Sequence, residues 1–319
     1  MIEIFARSAG MREAVRLAER VAATDANVLI SGESGAGKDA LALFIHSRSS
    51  RALFPLLKID CATLPGDLLE AELFGYERGA FTGATEAKPG RMEAAQSGTI
   101  VLDEIAHFSV DAQAKLLRVI ETRQFERLGG QRTIKVNARL IALTNVDLDE
   151  AVKRRDFRED LFYRLNVVHI RVPPLHERPE DLAKLAGFFL QTYAAKHGRK
   201  LTGITHGALS LLRNYDFPGN VRELANVIER AVIVCESKRI DVSDLPEGIR
   251  AAVQAHRRRE NPLSLAEVEA DYIAETLTTT KGNKAETARI LGISRKNLYE
   301  RLARMRKDEG RGMKMKDEG

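Results

Sequence analysis

The sequence predicts an α/β domain with a parallel sheet flanked by helices, then an all-α subdomain and a small helical unit at the C-terminus. Three observations predict this order. Short aliphatic runs alternate with helical patterns up to about residue 172, Pro173-Pro174 ends that alternation, and residues 180–236 have only helical patterns. The length of 319 residues also suggests more than one domain.

The candidate strands are short runs rich in aliphatic residues, and most of them are continuous rather than alternating. They cover residues 27–31, 56–60, 99–103, 140–144 and 167–171. Strands that are buried on both faces have this pattern, and helices between them favour parallel connections. We therefore expect one central parallel sheet with helices on both faces.

The remaining boundaries follow from breaks in the pattern. Pro218-Gly219 separates two helices of the all-α subdomain, and the basic stretch 257–259 with Pro262 indicates a linker. We expect the α/β domain to cover 1–175, the helical subdomain 176–248, the linker 249–262, the C-terminal unit 263–307 and a flexible tail 308–319.

Composition favours a cytoplasmic protein with an anionic partner. No apolar run is long enough for a membrane span or a signal peptide. Cys61 and Cys235 fit neither a metal nor a disulfide spacing, so we expect two buried free thiols. The net charge of +5 is uneven, because residues 284–307 hold eight Lys or Arg against two Glu. That local excess predicts a nucleic-acid contact at the C-terminal end.

A phosphate-binding loop is predicted between the first strand and the helix at 38–46. The residues that would bind nucleotide there are Gly32, Glu33, Ser34, Gly35, Ala36, Gly37, Lys38 and Asp39. Glycines let backbone N–H groups surround phosphates, and the lysine reaches the outer phosphates. The usual hydroxyl after the lysine is absent, because Asp39 stands there. A glycine-rich turn with a surface lysine is the alternative.

The strand 99–103 ends in two carboxylates that such a loop needs. Asp103 would hold Mg²⁺, and Glu104 would polarise the attacking water. An acidic strand end that merely feeds a turn is the alternative. Asn145 ends another strand and either senses the γ-phosphate or caps a helix. Together these motifs favour nucleotide hydrolysis with Mg²⁺.

Three arginines are candidates for further phosphate contacts. Arg158 and Arg164 lie six residues apart, and in a ring of subunits they could enter a neighbour's site as arginine fingers. Arg222 opens a helix directly after the turn at Pro218-Gly219 and could contact phosphate from the helical subdomain. Surface ion pairs, or for Arg222 an interaction with Asn226, are the alternatives.

The C-terminal unit has the pattern of a helix-turn-helix. Ser264 starts a capping box, a helix extends to about Thr279, and Gly282, Asn283 and Ser294 supply the following turns and caps. The last helix leaves polar side chains outside. We expect base contacts from Arg295, Lys296 and Asn297 and phosphate contacts from Arg301 and Arg304. A plain helical hairpin with a basic face is the alternative.

One further stretch, GAFTGA at 79–84, places a phenylalanine between two glycines in a loop. With GESGAGKD at 32–39, GTIVLDEI at 98–105, FREDLFYRLNV at 157–167 and FPGNVREL at 217–224, it resembles the sigma-54-dependent transcriptional activators, whose AAA+ P-loop ATPase is closed by a Fis-type helix-turn-helix. The resemblance covers about residues 8–305.

This resemblance implies a hexameric or heptameric ring that hydrolyses ATP at subunit interfaces, binds double-stranded enhancer DNA and remodels the closed complex of sigma-54 RNA polymerase. Contact with sigma-54 would come from Gly79, Ala80, Phe81, Thr82, Gly83 and Ala84. The alternative for Phe81 is a side chain that packs under a turn and has no role in binding. Asp60 stands where the family often has an Asn that holds the catalytic Glu inactive, so we expect a switch that is weakened or uses a different partner.

Two other functions share part of these motifs. A different AAA+ remodeller has no reason to carry GAFTGA or a terminal helix-turn-helix, and a passive DNA-binding regulator has no need of Lys38, Asp103 and Glu104. The ATPase pattern begins within the first ten residues, so we expect no sensory domain in this chain. Three explanations for this absence stay open. The protein is controlled by a separate regulatory protein, as in a two-component system, or it is active whenever it is expressed, or the chain is a truncated product.

Overall fold

The computed structural model describes residues 4–260, 265–280 and 282–302, in two compact units that divide between Arg250 and Ala251. In the first unit, helices and strands alternate as expected. The helices are α1 Ala9–Ala22, α2 Lys38–Ser47, α3 Gly66–Phe74, α4 Arg91–Ala94, α5 Val110–Thr122, α6 Leu148–Lys153, α7 Glu159–Leu165, α8 Pro179–Lys196, α9 His206–Arg213 and α10 Asn220–Val234, and α11 Glu247–Glu260 begins in this unit and ends in the second. The strands are β1 Val28–Ser31, β2 Leu56–Asp60, β3 Gly75–Tyr76, β4 Lys88–Pro89, β5 Thr99–Asp103, β6 Gln124–Glu126, β7 Thr133–Lys135, β8 Arg139–Thr144, β9 Val168–Arg171, β10 Gly203–Ile204 and β11 Arg239–Ile240.

The central sheet of the described residues has the order β2-β5-β8-β1-β9, and every neighbouring pair in it is parallel. All five predicted strands are therefore confirmed. Their side chains alternate between two cores: Ile100 and Leu102 of β5 face one, whereas Val101 faces the other. Helices α3, α5 and α7 cover the first core, and α1 and α2 cover the second.

The helical subdomain departs from its prediction at one point. Residues 180–236 were expected to be all helical, but Gly203–Ile204 forms a short parallel pair with Arg239–Ile240. Two residues are too few to produce a periodic signal, so this pairing depends on a contact distant in sequence. The predicted break is confirmed, because α9 ends at Arg213 and α10 begins at Asn220.

The segment predicted as a linker, 249–262, is instead helical over Glu247–Glu260. Its run of arginines suggested an exposed connector. Arginine is a good helix former, however, so a basic run does not argue against a helix.

The second unit contains α12 Leu265–Thr279, α13 Lys284–Ile290 and a further helical stretch at 295–302. Ile273, Ala288 and Leu298 are buried together at its centre. Asn283 caps α13, and the Ser294 hydroxyl accepts a hydrogen bond from the Asn297 amide at 3.2 Å. The predicted helix-turn-helix is thus confirmed, whereas Ser264, Arg304 and the tail 308–319 lie outside the described residues.

Two expectations from composition can also be compared with the structure. Both cysteines are free and buried. In the part of the chain that the structure describes, no helix has the length and hydrophobicity needed to cross a bilayer.

Candidate functional site

The loop after β1 curls around the ammonium group of Lys38. Lys38 Nζ donates to the carbonyl oxygens of Gly32 at 2.7 Å and Glu33 at 3.2 Å. Gly35 has φ +74°, and a Cβ there would lie 2.5 Å from the Gly219 carbonyl oxygen, so only glycine fits. Burial lowers the pKa of Lys38, and Glu104 and Asp103 oppose that shift. The loop therefore presents a partly desolvated positive charge at the start of α2.

Glu104 directly follows β5 and faces this lysine. Its Oε1 lies 4.0 Å from Lys38 Nζ, and its Oε2 accepts a hydrogen bond from the backbone N–H of Asn145 at 3.2 Å. The Glu104 backbone is left-handed, with φ 55° and ψ 50°, a conformation that is costly for a residue other than glycine and concentrates at functional sites. The contact from Asn145 is thus made by its backbone, and its side chain is exposed.

Asp103, the last residue of β5, is paired with a lysine that the motifs did not single out. Lys58 Nζ lies 2.6 Å from Asp103 Oδ2 and 2.5 Å from Asp39 Oδ1. Burial disfavours the charged form of Lys58, but its hydrogen bonds and charge interactions with Asp103 and Asp39 raise its pKa overall. Only the pairing of β2 with β5 could have indicated that Lys58 lies beside Asp103.

The Asp103 carboxylate fits a divalent cation. It holds the Lys58 ammonium beside the phosphate-binding loop, together with Asp39, and hard cations such as Mg²⁺ prefer carboxylate oxygens. Among the described residues, no group of three or more His, Cys, Asp or Glu could hold a metal ion. Magnesium in nucleotide sites usually has one or two carboxylate ligands and takes the rest from phosphates and water, so the donor set here is of the expected kind.

The helical subdomain closes over the loop through Asn220, the first residue of α10. The Asn220 side chain is fully buried and makes three hydrogen bonds: Nδ2 donates to Glu33 Oε2 at 2.9 Å and to the Ser34 carbonyl at 3.1 Å, and Oδ1 accepts from the Leu175 amide at 2.7 Å. Its backbone is left-handed, with φ 52°. Sequence reasoning missed this residue, although it stands inside the FPGNVREL stretch.

Two arginines add to this closure. Arg222 Nη1 donates to Ser34 Oγ at 3.1 Å, so its described contact is with the loop rather than with Asn226. Arg178, which the motifs also missed, is buried, and its Nη2 donates to the Ala36 carbonyl. The loop is therefore held from one side by β1 and α2 and from the other by α10 and the residues before α8.

A cleft of about 260 Å³ lies between the loop and the helical subdomain. Among the residues that line it are most of the predicted nucleotide site. They include Ser34, Gly35, Gly37, Lys38, Asp39, Asp103, Glu104 and Arg222, together with Phe189, Val221 and Ala225. Residues more than 180 positions apart thus converge on one concave surface, with a lysine, an arginine and three carboxylates inside it.

The two candidate arginine fingers and the candidate switch residue lie outside this cleft. Arg158 is paired with Asp160 at 2.7 Å, Arg164 with Glu121 at 2.9 Å, and neither lines the cleft. Asp60 is the strand neighbour of Asp103, and its Oδ1 accepts from the Ala62 amide at 3.0 Å. Among the described hydrogen bonds and ion pairs, none joins Asp60 to Glu104.

The GAFTGA loop is held at its base and open at its tip. Gly79 and Gly83 have φ +82° and +105°, and a Cβ on either would meet nothing within 4 Å. Phe81 is 41% exposed and packs edge-on against Tyr76, with ring centroids 4.9 Å apart. Ala84 departs from the prediction of a six-residue contact surface, because it is buried. Its carbonyl accepts a hydrogen bond from the Gly79 amide, and its amide donates to the Phe81 carbonyl, so the two bonds close the loop.

The base of this loop rests on residues 127–130. Glu77 donates its amide to the Leu128 carbonyl at 2.9 Å, and the Arg127 side chain lies 3.2 Å from Glu77 and 2.8 Å from Glu93. A Cβ on Gly129 would lie 2.9 Å from the Cα and Cβ of Ala80. The tip is thus presented by a fixed platform.

In the second unit, the candidate DNA contacts divide into two groups. Arg295, Lys296 and Asn297 are exposed in the first turn of the last helical stretch. Arg301, expected to meet phosphate, is paired with Glu269 and also donates to Asn297 Oδ1 at 3.3 Å. The Arg301 charge is therefore partly neutralised by a carboxylate of the same unit.

Comparison with known protein families divides the chain into three matches. Residues 4–171 match the sigma-54 interaction domain, 176–262 the AAA+ ATPase lid domain, and 264–305 the bacterial regulatory protein Fis family. Among similar proteins, the regulatory protein AtoC of Escherichia coli strain K12 is 46% identical, over 94% of this chain and 67% of its own length. The transcriptional regulatory protein FlbD of Caulobacter vibrioides is 43% identical, over 93% of this chain and 69% of its own length.

Solved structures with a similar fold include NtrX from Brucella abortus. The crystal structure of NtrX from Brucella abortus in complex with ATP has a TM-score of 0.75 and 34% identity, and the match covers 95% of this chain and 69% of NtrX. The complex of that protein with ADP has a TM-score of 0.72.

The Asn220 contacts predict a large effect of Asn220→Ala on stability. The change removes the three hydrogen bonds of a buried side chain, leaves the Glu33 carboxylate without its amide partner, and places alanine in a left-handed conformation. We expect the free energy of unfolding to fall by about 2–4 kcal/mol. Urea unfolding followed by circular dichroism measures this, since the chain has no tryptophan.

Asn226→Ala is the matched control, because Asn226 is exposed on the same helix. It should change the free energy of unfolding by less than about 0.5 kcal/mol. Equal effects of the two substitutions would show that the Asn220 side chain does not hold the subdomains together.

Proposed function

This chain belongs to the sigma-54-dependent transcriptional activators, and from that premise we propose that it hydrolyses ATP in a ring of identical subunits and remodels promoter-bound sigma-54 RNA polymerase. The observation that carries the proposal is the cleft, in which Lys38, Asp103, Glu104 and Arg222 converge. A phosphate chain placed there would meet cationic groups from both subdomains. The fold and the family match support an ATPase site over a structural turn.

Hydrolysis requires a group that orients water and groups that stabilise negative charge. Glu104 has the position for the first task, because the Asn145 amide holds one carboxylate oxygen and leaves Lys38 close to the other. Lys38 and Arg222 supply positive charge toward the phosphates. Asp103 would hold Mg²⁺, which when bound neutralises phosphate charge. The exposed Asn145 side chain is available to sense the γ-phosphate.

The ring supplies what the cleft of one subunit lacks. Arg164 is exposed and Arg158 is partly exposed, and both lie outside the cleft of their own chain. Head-to-tail contacts in a closed ring would bring such side chains to a neighbour's nucleotide. We assign them as arginine fingers on that ground.

The loop 79–84 would carry the result of hydrolysis to sigma-54. Phe81 and Thr82 are exposed at its tip, and Gly79 and Gly83 allow the tip to change its angle. Half-exposed aromatic side chains on a loop are typical anchors for a partner protein. Ala80 and Ala84 support the loop from below, against Gly129 and within the turn.

Enhancer binding would be the task of the second unit. Arg295, Lys296 and Asn297 are exposed at the start of a helix that follows a tight turn, where helix-turn-helix proteins contact base edges in the major groove. Arg301 would reach phosphate only by leaving Glu269. Such an activator works in the bacterial cytoplasm, where promoter DNA and polymerase are found.

Open-complex formation tests the whole proposal. With sigma-54 polymerase on a supercoiled template, we expect open complexes that require this protein, hydrolysable ATP and an enhancer site on the template. Phe81→Ala should reduce them by at least about tenfold, since truncation of an aromatic anchor commonly costs 2 kcal/mol or more, while ATPase activity stays within about twofold.

Phe54→Ala is the control for this substitution, because Phe54 is 46% exposed, close to the 41% of Phe81, but lies outside the loop. A wild-type protein without effect on open complexes would refute the proposed function. If Phe81→Ala loses both helicity and ATPase activity, the Phe81 side chain serves stability by packing against Tyr76 and is not a partner contact.

The arginine-finger assignment has its own test. Arg164→Ala should lower kcat for ATP hydrolysis by about 10³-fold or more and leave ATP affinity within a few-fold, because the finger acts on the transferring phosphate of a neighbour. Steady-state ATPase rates and equilibrium binding of a fluorescent ATP analogue measure the two quantities.

Arg154→Ala is a matched control, since the Arg154 side chain is 62% exposed against 60% for Arg164 and is also in a surface ion pair. Loss of ATP binding in Arg164→Ala would place this arginine's role inside its own subunit and contradict the assignment.

The role of Asp60 as a weakened switch predicts a gain of control by Asp60→Asn. Asparagine keeps the oxygen that accepts from Ala62, so the turn is preserved, and it adds the N–H donor that a hydrogen bond to the Glu104 carboxylate requires. We expect basal ATPase activity to fall about fivefold, the value of one hydrogen bond of about 1 kcal/mol, and stimulation by sigma-54 to increase.

Asp67→Asn, an exposed change in the first turn of α3, should alter neither quantity. The switch hypothesis fails if Asp60→Asn leaves both the basal rate and the response to sigma-54 at wild-type values.

A further inference from the structure

Lys58 occupies a position that its motif context does not explain. It lies in the middle of β2, outside the phosphate-binding loop, yet its ammonium group is in contact with the carboxylates of Asp103 and Asp39. These two residues come from different elements, the end of β5 and the first turn of α2. The ammonium thus joins the acidic edge of the sheet to the helix that begins at the loop.

The charges around the cleft show why a cation is needed there. Asp103, Glu104 and Asp39 line it as carboxylates, against the cationic Lys38 and Arg222. A metal-free nucleoside diphosphate brings about three further negative charges into the same space. Lys58 does not line the cleft, but it supplies positive charge directly behind two of its three carboxylates.

We propose that Lys58 is a positioning residue that stands in for the divalent cation at Asp103 and so permits nucleotide to bind before the metal. The inference rests on the proposed nucleotide site. When a metal takes Asp103, Lys58 keeps its second partner, Asp39, so its release costs only one of two ion pairs. The side chain is 44% exposed and has the length to move, whereas Asp103 is 16% exposed and fixed at the strand end.

This role differs from that of an ordinary surface ion pair in what it changes. A surface pair contributes a little to folding stability and nothing to metal dependence. A stand-in cation changes the coupling between nucleotide and metal. It makes metal-free binding stronger, because it neutralises the carboxylates, and metal binding weaker, because it occupies Asp103. Both effects alter the same ratio in the same direction.

The experiment compares the affinity of the full chain for fluorescent mant-ADP in excess EDTA with its affinity in millimolar Mg²⁺. The quantity of interest is the ratio of the dissociation constant in EDTA to that in Mg²⁺. Lys58→Met should raise this ratio about tenfold, because it removes two partly exposed ion pairs that are each worth up to a factor of about five. Lys58→Gln should behave in the same way.

Two control variants isolate the charge at this position. Lys58→Arg keeps a cation between Asp103 and Asp39 and should retain a ratio close to that of wild type. Lys153→Met removes an exposed lysine that pairs with Glu150 on α6 and should leave the ratio unchanged. Circular dichroism melting of every variant identifies any that fail to fold, and the ratio is internally corrected for a partial loss of active protein.

An unchanged or lowered ratio in both Lys58→Met and Lys58→Gln overturns the inference, as does an equal rise in Lys58→Arg. If wild-type protein binds mant-ADP in neither condition, the nucleotide site itself is wrong and the proposed function falls. Nucleotide binding with an unaltered ratio, in contrast, removes only the role of Lys58.

Discussion

The parallel direction of the central strands is the constraint on which the site depends. Because β2, β5, β8 and β1 all point the same way, their carboxyl ends meet at one edge, and whatever follows each strand is delivered to the same place. The phosphate-binding loop follows β1, Glu104 follows β5, and the amide that holds Glu104 follows β8. Asp60 ends β2 directly beside Asp103. A single reversed strand would remove its contribution from the cleft.

The sheet edge alone leaves the loop open, and the helical subdomain completes it. Asn220 and Arg178 are buried polar side chains that both donate hydrogen bonds to the loop, Asn220 to Glu33 and Ser34 and Arg178 to Ala36. Buried polar groups are costly unless paired, so these contacts favour one specific arrangement of the two subdomains over others. Nucleotide placed in the cleft would touch both sides of this contact, which makes the subdomain angle and the state of the site mutually dependent.

The fold could largely be predicted from the sequence, because buried parallel strands, caps and glycine turns leave local signals. The five central strands, the break before Asn220 and the caps at Asn283 and Ser294 are of that kind. Most features that the sequence did not predict depend on contacts between residues that are distant in sequence. The pair of Gly203–Ile204 with Arg239–Ile240 is too short to show periodicity, and the basic run before residue 260 suggests a linker as readily as a helix. Lys58 and Asn220 become part of the site only when strands and subdomains are placed together.

The position of the GAFTGA loop relative to the acidic edge follows from the same chain order. Asp60 ends β2, α3 begins six residues later, and β3 with the loop follows α3 without a break. Helix α3 is no flexible connector, since Leu69, Leu73 and Phe74 are buried in the core under the sheet. At the other end, the Cys61 amide donates to the Asp103 carbonyl at 2.9 Å, which ties the start of this segment to the strand that carries the catalytic candidates. The packed helix α3 therefore joins the acidic end of the sheet to the base of the GAFTGA loop, and the exposed part of that loop lies beyond Gly79.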